Sequence, residues 1–190
     1  MNLPNKLSVA RIILVPIVVA FLLLPQVPYH YLWALLLFAA ASYTDHLDGK
    51  IARTKGLITT FGQFLDPLAD KVLILSVLIC FVKLNLCNIW LVLIILIREF
   101  AVTSLRLVAV ESGKVIAANQ WGKAKTVSQI LAVFLVLLFQ CLLEAGIFPT
   151  GMALGLLVFG NVLIGISCVL TVISGAVYIR QNAHIISQTK

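Results

Sequence analysis

Long apolar runs, broken at intervals by short polar or proline-containing stretches, dominate the chain. Residues 12–44 hold no Asp, Glu, Lys or Arg, and Pro25, Gln26 and Pro28 divide them into one run ending near Leu24 and another starting near Tyr31. Four further runs extend from about Asp66 to Leu84, Asn88 to Val110, Lys123 to Leu143 and Met152 to Ile179. Each is close to the roughly 20 residues that an α-helix needs to cross the hydrocarbon core of a bilayer. The pattern predicts an all-α, polytopic membrane protein with six transmembrane helices, built as a single integral membrane domain over residues 1–190. No internal repeat, low-complexity segment or long linker divides it.

Composition narrows the class. Apolar residues make up 62% of the 190 and charged residues 11%, against roughly 45–50% and about 25% in soluble domains. A water-soluble domain, a disordered chain, a coiled coil and a secreted disulfide scaffold are thereby excluded. The cysteines, Cys80, Cys87, Cys141 and Cys168, lie in apolar surroundings without metal-ligand spacing and read as small core residues. No small-residue cleavage site follows the first apolar run, which reads as a retained helix rather than a signal peptide.

Fourteen basic and seven acidic residues give a net charge of +7. In a soluble protein that excess would suggest nucleic acid; here no nucleic-acid partner is expected, and the cations report topology and an anionic ligand. Lys6, Arg11, Lys50, Arg53, Lys55, Lys114, Lys123, Lys125, Arg180 and Lys190 fall on one side of a six-helix arrangement, whereas the opposite turns hold only Lys83. Basic loops mark the cytoplasmic side, so both termini and the functional face are expected there.

Four of the seven acidic residues, Asp45, Asp48, Asp66 and Asp70, lie in or at the ends of apolar runs. Carboxylates in a membrane segment cost a few kcal/mol each on insertion scales, so they face the bundle interior and mark a functional path. Spacings of three and four put Asp45 with Asp48, and Asp66 with Asp70, on one face of their helices. Capping or pairing with Lys50, Arg53 and Lys71 would account for any one of them, but poorly for all four in phase. Converging carboxylates repel unless cations neutralise them, and an all-oxygen donor set favours Mg2+ or Mn2+ over zinc. Mg2+ commonly shares such sites with substrate phosphates, so a phosphate-bearing ligand is expected too. Gly49 and Ala52 leave backbone exposed beside the carboxylates, Gly62 lets the turn into the third helix pass close to the same ligand, and Arg53 offers a fork for phosphate oxygens. His46 falls one residue off the carboxylate face.

The stretch Asp45-His-Leu-Asp48-Gly49-Lys-Ile-Ala52-Arg53, eight residues, then Gly62-Gln-Phe-Leu-Asp66-Pro-Leu-Ala-Asp70 resembles the full signature of the CDP-alcohol phosphatidyltransferase family, D-x2-D-G-x2-A-R-x8-G-x3-D-x3-D. Every fixed position matches, and the six-helix layout agrees along the whole chain. The resemblance implies that Asp45, Asp48, Asp66 and Asp70 hold two metal ions, Mg2+ or Mn2+, and that Asp70 is the catalytic general base. It also implies that Gly49, Arg53 and Thr59 lie at CDP-diacylglycerol, where Asn5, Ser8, Ala52 and Gly62 are expected as well.

The acceptor alcohol must be read from other polar residues. Glu99, Thr103 and Arg106 share a face of the fourth helix, either as a structural ion pair or with Glu99 orienting Arg106 into the site. Gly122-Lys123-Ala-Lys125-Thr126 is not a nucleotide P-loop, since Ala117 stands at the required upstream glycine. Two lysines at a helix N-terminus can still bind phosphate, or contact anionic lipid headgroups. These blocks, with Leu3-Pro4-Asn5-Lys6-Leu7-Ser8-Val-Ala-Arg11, resemble the bacterial, phosphatidylglycerophosphate-forming branch of the family, which implies glycerol 3-phosphate as acceptor and the bacterial plasma membrane as location. Ser8 and Ser104 depart from the threonine and glycine usual there. Arg106, Lys123, Lys125 and Arg180 are the candidate acceptor-phosphate ligands, and a homodimer is expected. With no nucleophile beside a base, direct transfer of the phosphatidyl group to the hydroxyl with release of CMP is preferred to a ping-pong route. Two rivals stand: a cardiolipin synthase of the same family using phosphatidylglycerol as acceptor, and a cation transporter.

Overall fold

A computed structural model describes the backbone of residues 3–55, 60–111 and 120–187, and the side chains of residues 7–44, 68–69, 71–106, 120–149 and 151–181. It is all-helical among the described residues: α1 (Leu3–Leu23), α2 (His30–Lys55), α3 (Thr60–Lys83), α4 (Ile89–Glu111), α5 (Gln120–Glu144) and α6 (Ala153–Ser187), with a short 3-10 turn, Thr150–Met152, before α6. The six apolar runs thus each form one helix. Pro16 does not break α1, because Val15 and Val18 on either side are buried and hold the helix against its neighbours.

Two helices stop by the same device. After α3, Asn85 takes a left-handed φ of 57°, and after α5 Gly146 takes 71°. The Leu86 N–H then donates to the Phe81 carbonyl at 2.8 Å, and the Ile147 N–H to the Leu142 carbonyl at 3.0 Å, so carbonyls otherwise left open at the helix ends are satisfied.

Packing arranges the helices in a closed ring in the order α1, α2, α5, α6, α4, α3, and α3 also touches α2 and α5 across the middle. Val18 and Leu22 of α1, Phe38 of α2, Val77 and Phe81 of α3, Ile95 of α4, Val133 and Leu137 of α5, and Ile164 of α6 fill the interior. Short turns at residues 24–29, 84–88 and 145–152 join the helices at one end. By the alternation of the chain, the starts of α1, α3 and α5 and the ends of α2, α4 and α6 meet at the other.

Several expectations shift. Helix α3 starts at Thr60 rather than near Asp66, so Gly62 lies in its first turn and not in a loop before it; α6 runs to Ser187, beyond the expected Ile179. Polar residues continue these helices because their backbone bonds close locally whatever the side chain. Among the described residues, the stretches long and apolar enough to cross a membrane are Gln120–Glu144 and Ala153–Gln181, while the apolar part of α1, Leu7–Leu23, is shorter. Helix α4 carries Arg98, Glu99 and Arg106 inside its length. Outward-facing Ile13, Ile17, Leu36, Ile97, Leu131, Val162 and Val169 give the ring an apolar exterior, the surface a lipid solvent would cover.

Candidate active site

Both motif pairs lie within continuous helix: Asp45 and Asp48 in α2, Asp66 and Asp70 in α3. The antiparallel order brings both to the same half of the bundle, away from the short turns. The side chains of Asp45, Asp48, Asp66, Asp70, Gly49, Ala52, Arg53, Gly62 and Asn5 lie outside the described ones, and Thr59 lies outside the described residues altogether. Among the described residues no group of three His, Cys, Asp or Glu could hold a metal ion. The donor chemistry of the motif itself, four carboxylates on two helices at spacings of three and four, fits a hard divalent cation.

Around that half of the bundle the structure buries an unusual set of polar side chains. Ser8 and Arg11 on α1 are 1% and 2% exposed; Glu99 on α4, Lys125 and Gln129 on α5, and Ser167, Thr171 and Ser174 on α6 are also buried. Polar groups in an apolar interior must find partners, and Glu99, Lys125, Gln129, Thr171 and Ser174 do so across α4, α5 and α6. Glu99 Oε1 accepts from Lys125 Nζ and, at 3.1 Å, from Arg98 Nη1. Arg98 Nη2 donates to Ser174 Oγ at 2.7 Å. The Arg98 stem runs over Gly175, where an added Cβ would stand 2.9 Å from Arg98 Cγ. Further along, Gln129 Nε2 donates to Thr171 Oγ1 at 3.3 Å, and Thr171 Oγ1 to the Ser167 carbonyl at 2.7 Å. Lys71, Ile74, Leu75, Glu99, Lys125 and Gln129 line a narrow cleft between α3, α4 and α5. Lys71 directly follows Asp70, so this cleft adjoins the motif on α3.

Of the four candidate acceptor-phosphate ligands, only Lys125 lies inside the bundle; Arg106, Lys123 and Arg180 are exposed. Residues two apart on a helix do not share a face, which is why Lys123 turns outward where Lys125 turns in. Glu99 does not orient Arg106, contrary to the reading from spacing: seven residues are about 10 Å of helix rise, and the cations that reach its carboxylate are Arg98 beside it and Lys125 across the bundle. Thr103 spends its hydroxyl on the Glu99 carbonyl, 2.7 Å away. Ser8 is buried on α1, and Arg11, given no role in the site from the sequence, is buried one turn further along the same helix.

Gln129, Thr171, Ser174 and Gly175 escaped the sequence reading, and Arg98 was given no role of its own. One signal was available: Ser167, Thr171, Ser174 and Gly175 recur at steps of four, three and one along α6, a polar and small stripe on an otherwise apolar helix.

Residues 1–175 match the CDP-alcohol phosphatidyltransferase family. A protein of Bacillus subtilis (strain 168) named CDP-diacylglycerol–glycerol-3-phosphate 3-phosphatidyltransferase is 42% identical over 192 aligned residues, covering 95% of each chain. A protein of the same name from Pseudomonas fluorescens is 39% identical over 72% of each chain. A probable phosphatidylglycerophosphate synthase of Mycobacterium tuberculosis (strain H37Rv) is 36% identical over 95% of this chain and 81% of its own.

Proposed function

The chain belongs to the CDP-alcohol phosphatidyltransferase family, and from that premise we propose that it transfers the phosphatidyl group of CDP-diacylglycerol to glycerol 3-phosphate, giving phosphatidylglycerophosphate and CMP. The observation that carries this reading is the near full-length similarity to relatives named for that reaction. The complete aspartate signature, and the buried Arg11 and Lys125 in the same half of the bundle, also support it. The enzyme works as a membrane protein with six transmembrane helices, both termini and the active site on the cytoplasmic side of a bacterial plasma membrane, and as a homodimer.

Asp45, Asp48, Asp66 and Asp70 would hold two divalent cations, Mg2+ or Mn2+, which supply charge neutralisation at the pyrophosphate and at the departing CMP. Gly49, Ala52 and Gly62 give the liponucleotide close approach to α2 and α3, with Arg53, Thr59, Asn5 and Ser8 as its polar contacts. The acceptor phosphate is held by Lys125 inside the bundle and by Arg106, Lys123 and Arg180 at its mouth. Asp70 takes the proton of the acceptor hydroxyl. The freed oxygen forms a bond to the phosphorus that carries the diacylglycerol, and the bond from that phosphorus to the CMP oxygen breaks.

The test is CMP release by purified protein in mixed micelles of CDP-diacylglycerol. Release that requires glycerol 3-phosphate supports the reading; release that requires phosphatidylglycerol instead would make the enzyme a cardiolipin synthase. No release with any acceptor, together with metal flux in liposomes, would move it to the transporter class.

A further inference from the structure

Lys125 poses a physical problem. An ammonium so far inside an apolar bundle keeps its place only if something fixes it, since lysine has a flexible four-carbon stem and a large desolvation cost. Glu99, across from it on α4, is such a group. Glu99 is in turn shared with Arg98, and Arg98 is anchored on α6 by the Ser174 hydroxyl and by the space that Gly175 leaves for its stem. Lys125 lines, with Lys71 and Gln129, the cleft that adjoins the motif helix α3.

We infer that Glu99 is a positioning residue for the acceptor: it aims the Lys125 ammonium at the phosphate of glycerol 3-phosphate, and Arg98, held by Ser174 and Gly175, fixes Glu99 so that α6 sets acceptor affinity without touching the acceptor. The inference rests on the placement of Lys125 in the acceptor pocket and adds the three residues behind it. It gives Gly175 a steric role: a methyl group there cannot be relieved by the far end of a side chain, because the contact is with the Arg98 stem close to its backbone.

The experiment is a double-mutant cycle on KM for glycerol 3-phosphate, read against KM for CDP-diacylglycerol and against thermal stability in detergent. Losing a hydrogen bond to a charged group corresponds to roughly ten- to a hundredfold, so Lys125→Met should raise KM for glycerol 3-phosphate by that much and leave the liponucleotide KM within about twofold. Glu99→Gln should raise it comparably in the wild-type background but by less than about twofold when Lys125→Met is already present, because it acts through that ammonium. A purely structural Glu99 would lower the melting temperature in both backgrounds without this selective shift. Ser174→Ala and Gly175→Ala, which leave every charge in place, should give smaller shifts of the same kind and keep the proposal testable if Glu99→Gln does not fold. If Lys125→Met leaves KM for glycerol 3-phosphate unmoved, the pocket assignment falls and the inference with it. If Lys125→Met raises it while Glu99→Gln, Ser174→Ala and Gly175→Ala do not, or if the effects of Glu99→Gln and Lys125→Met multiply in full, the pocket stands and the positioning role is overturned.

Discussion

Glu99 and Glu144 are the same side chain put to opposite uses in the two halves of the bundle. Glu144, exposed at the end of α5, accepts from the backbone N–H groups of His30 at 3.2 Å and Tyr31 at 3.3 Å, and so closes the first turn of α2 from 114 residues away. At the same end His30 Nδ1 donates to the Phe21 carbonyl at 3.1 Å near the end of α1, and Asn161 Oδ1 on α6 accepts from the Asn88 N–H at 2.8 Å just before α4. Every one of these contacts satisfies a backbone group that a helix end leaves open. Glu99, buried inside α4, has no such duty: its carboxylate meets two side-chain cations. A carboxylate that completes backbone bonding serves the fold, whereas one that spends its charge aligning other side chains in an apolar interior is a cost to stability that chemistry has to justify.

That contrast can be broken most severely at the motif. Asp48→Asn should remove turnover while helical circular dichroism is kept, since the loss falls on ligand chemistry and not on backbone bonding. Asp70→Asn keeps the shape but not the basicity, and should lower kcat by about 10²–10⁴-fold with little change in CDP-diacylglycerol binding. Near-normal kcat in Asp70→Asn, or loss of liponucleotide binding as deep as in Asp48→Asn, would reduce Asp70 to a ligand.

At the other end the expected effects are smaller and of another kind. Glu144→Ala removes a cap from α2 and should cost about 1 kcal/mol of stability, seen as earlier thermal unfolding in detergent with kcat/KM preserved. The smallest effect concerns Cys87, in the turn between α3 and α4. Burial pushes its thiol up to about 11, with Cys168 nearby adding to the rise. Since the thiolate is the reactive form, maleimide labelling of Cys87, followed by peptide mass mapping, should be negligible at pH 7 and increase as pH rises toward that value. Rapid labelling at neutral pH would show that this end opens to solvent and is not the closed, structural half described above.

How much of this the chain announced in advance follows the same division. The helices were legible because long apolar runs, the first two divided by Pro25 and Pro28, leave few other solutions, and the aspartate motif was legible because in-phase carboxylates in an apolar run have few other reasons to exist. The start of α3 was misplaced because Thr60 to Leu65 are too mixed to show a period. The partner of Glu99 was misassigned because spacing along one helix reveals only neighbours on that helix, while Lys125 arrives from another one. Gly175 was invisible for a different reason: its contribution is the absence of a Cβ where the Arg98 stem passes, and nothing in its neighbours along the chain marks that need.

The comparison between the two glutamates is settled by KM for glycerol 3-phosphate, measured side by side in Glu99→Gln and Glu144→Gln under identical micelle conditions. The account predicts a rise of roughly ten- to a hundredfold for Glu99→Gln and a change within about twofold for Glu144→Gln, whose cost appears in the melting temperature instead. Equal shifts in the two variants, or a larger one in Glu144→Gln, would contradict the division of the bundle into a half that holds the fold and a half that holds the acceptor.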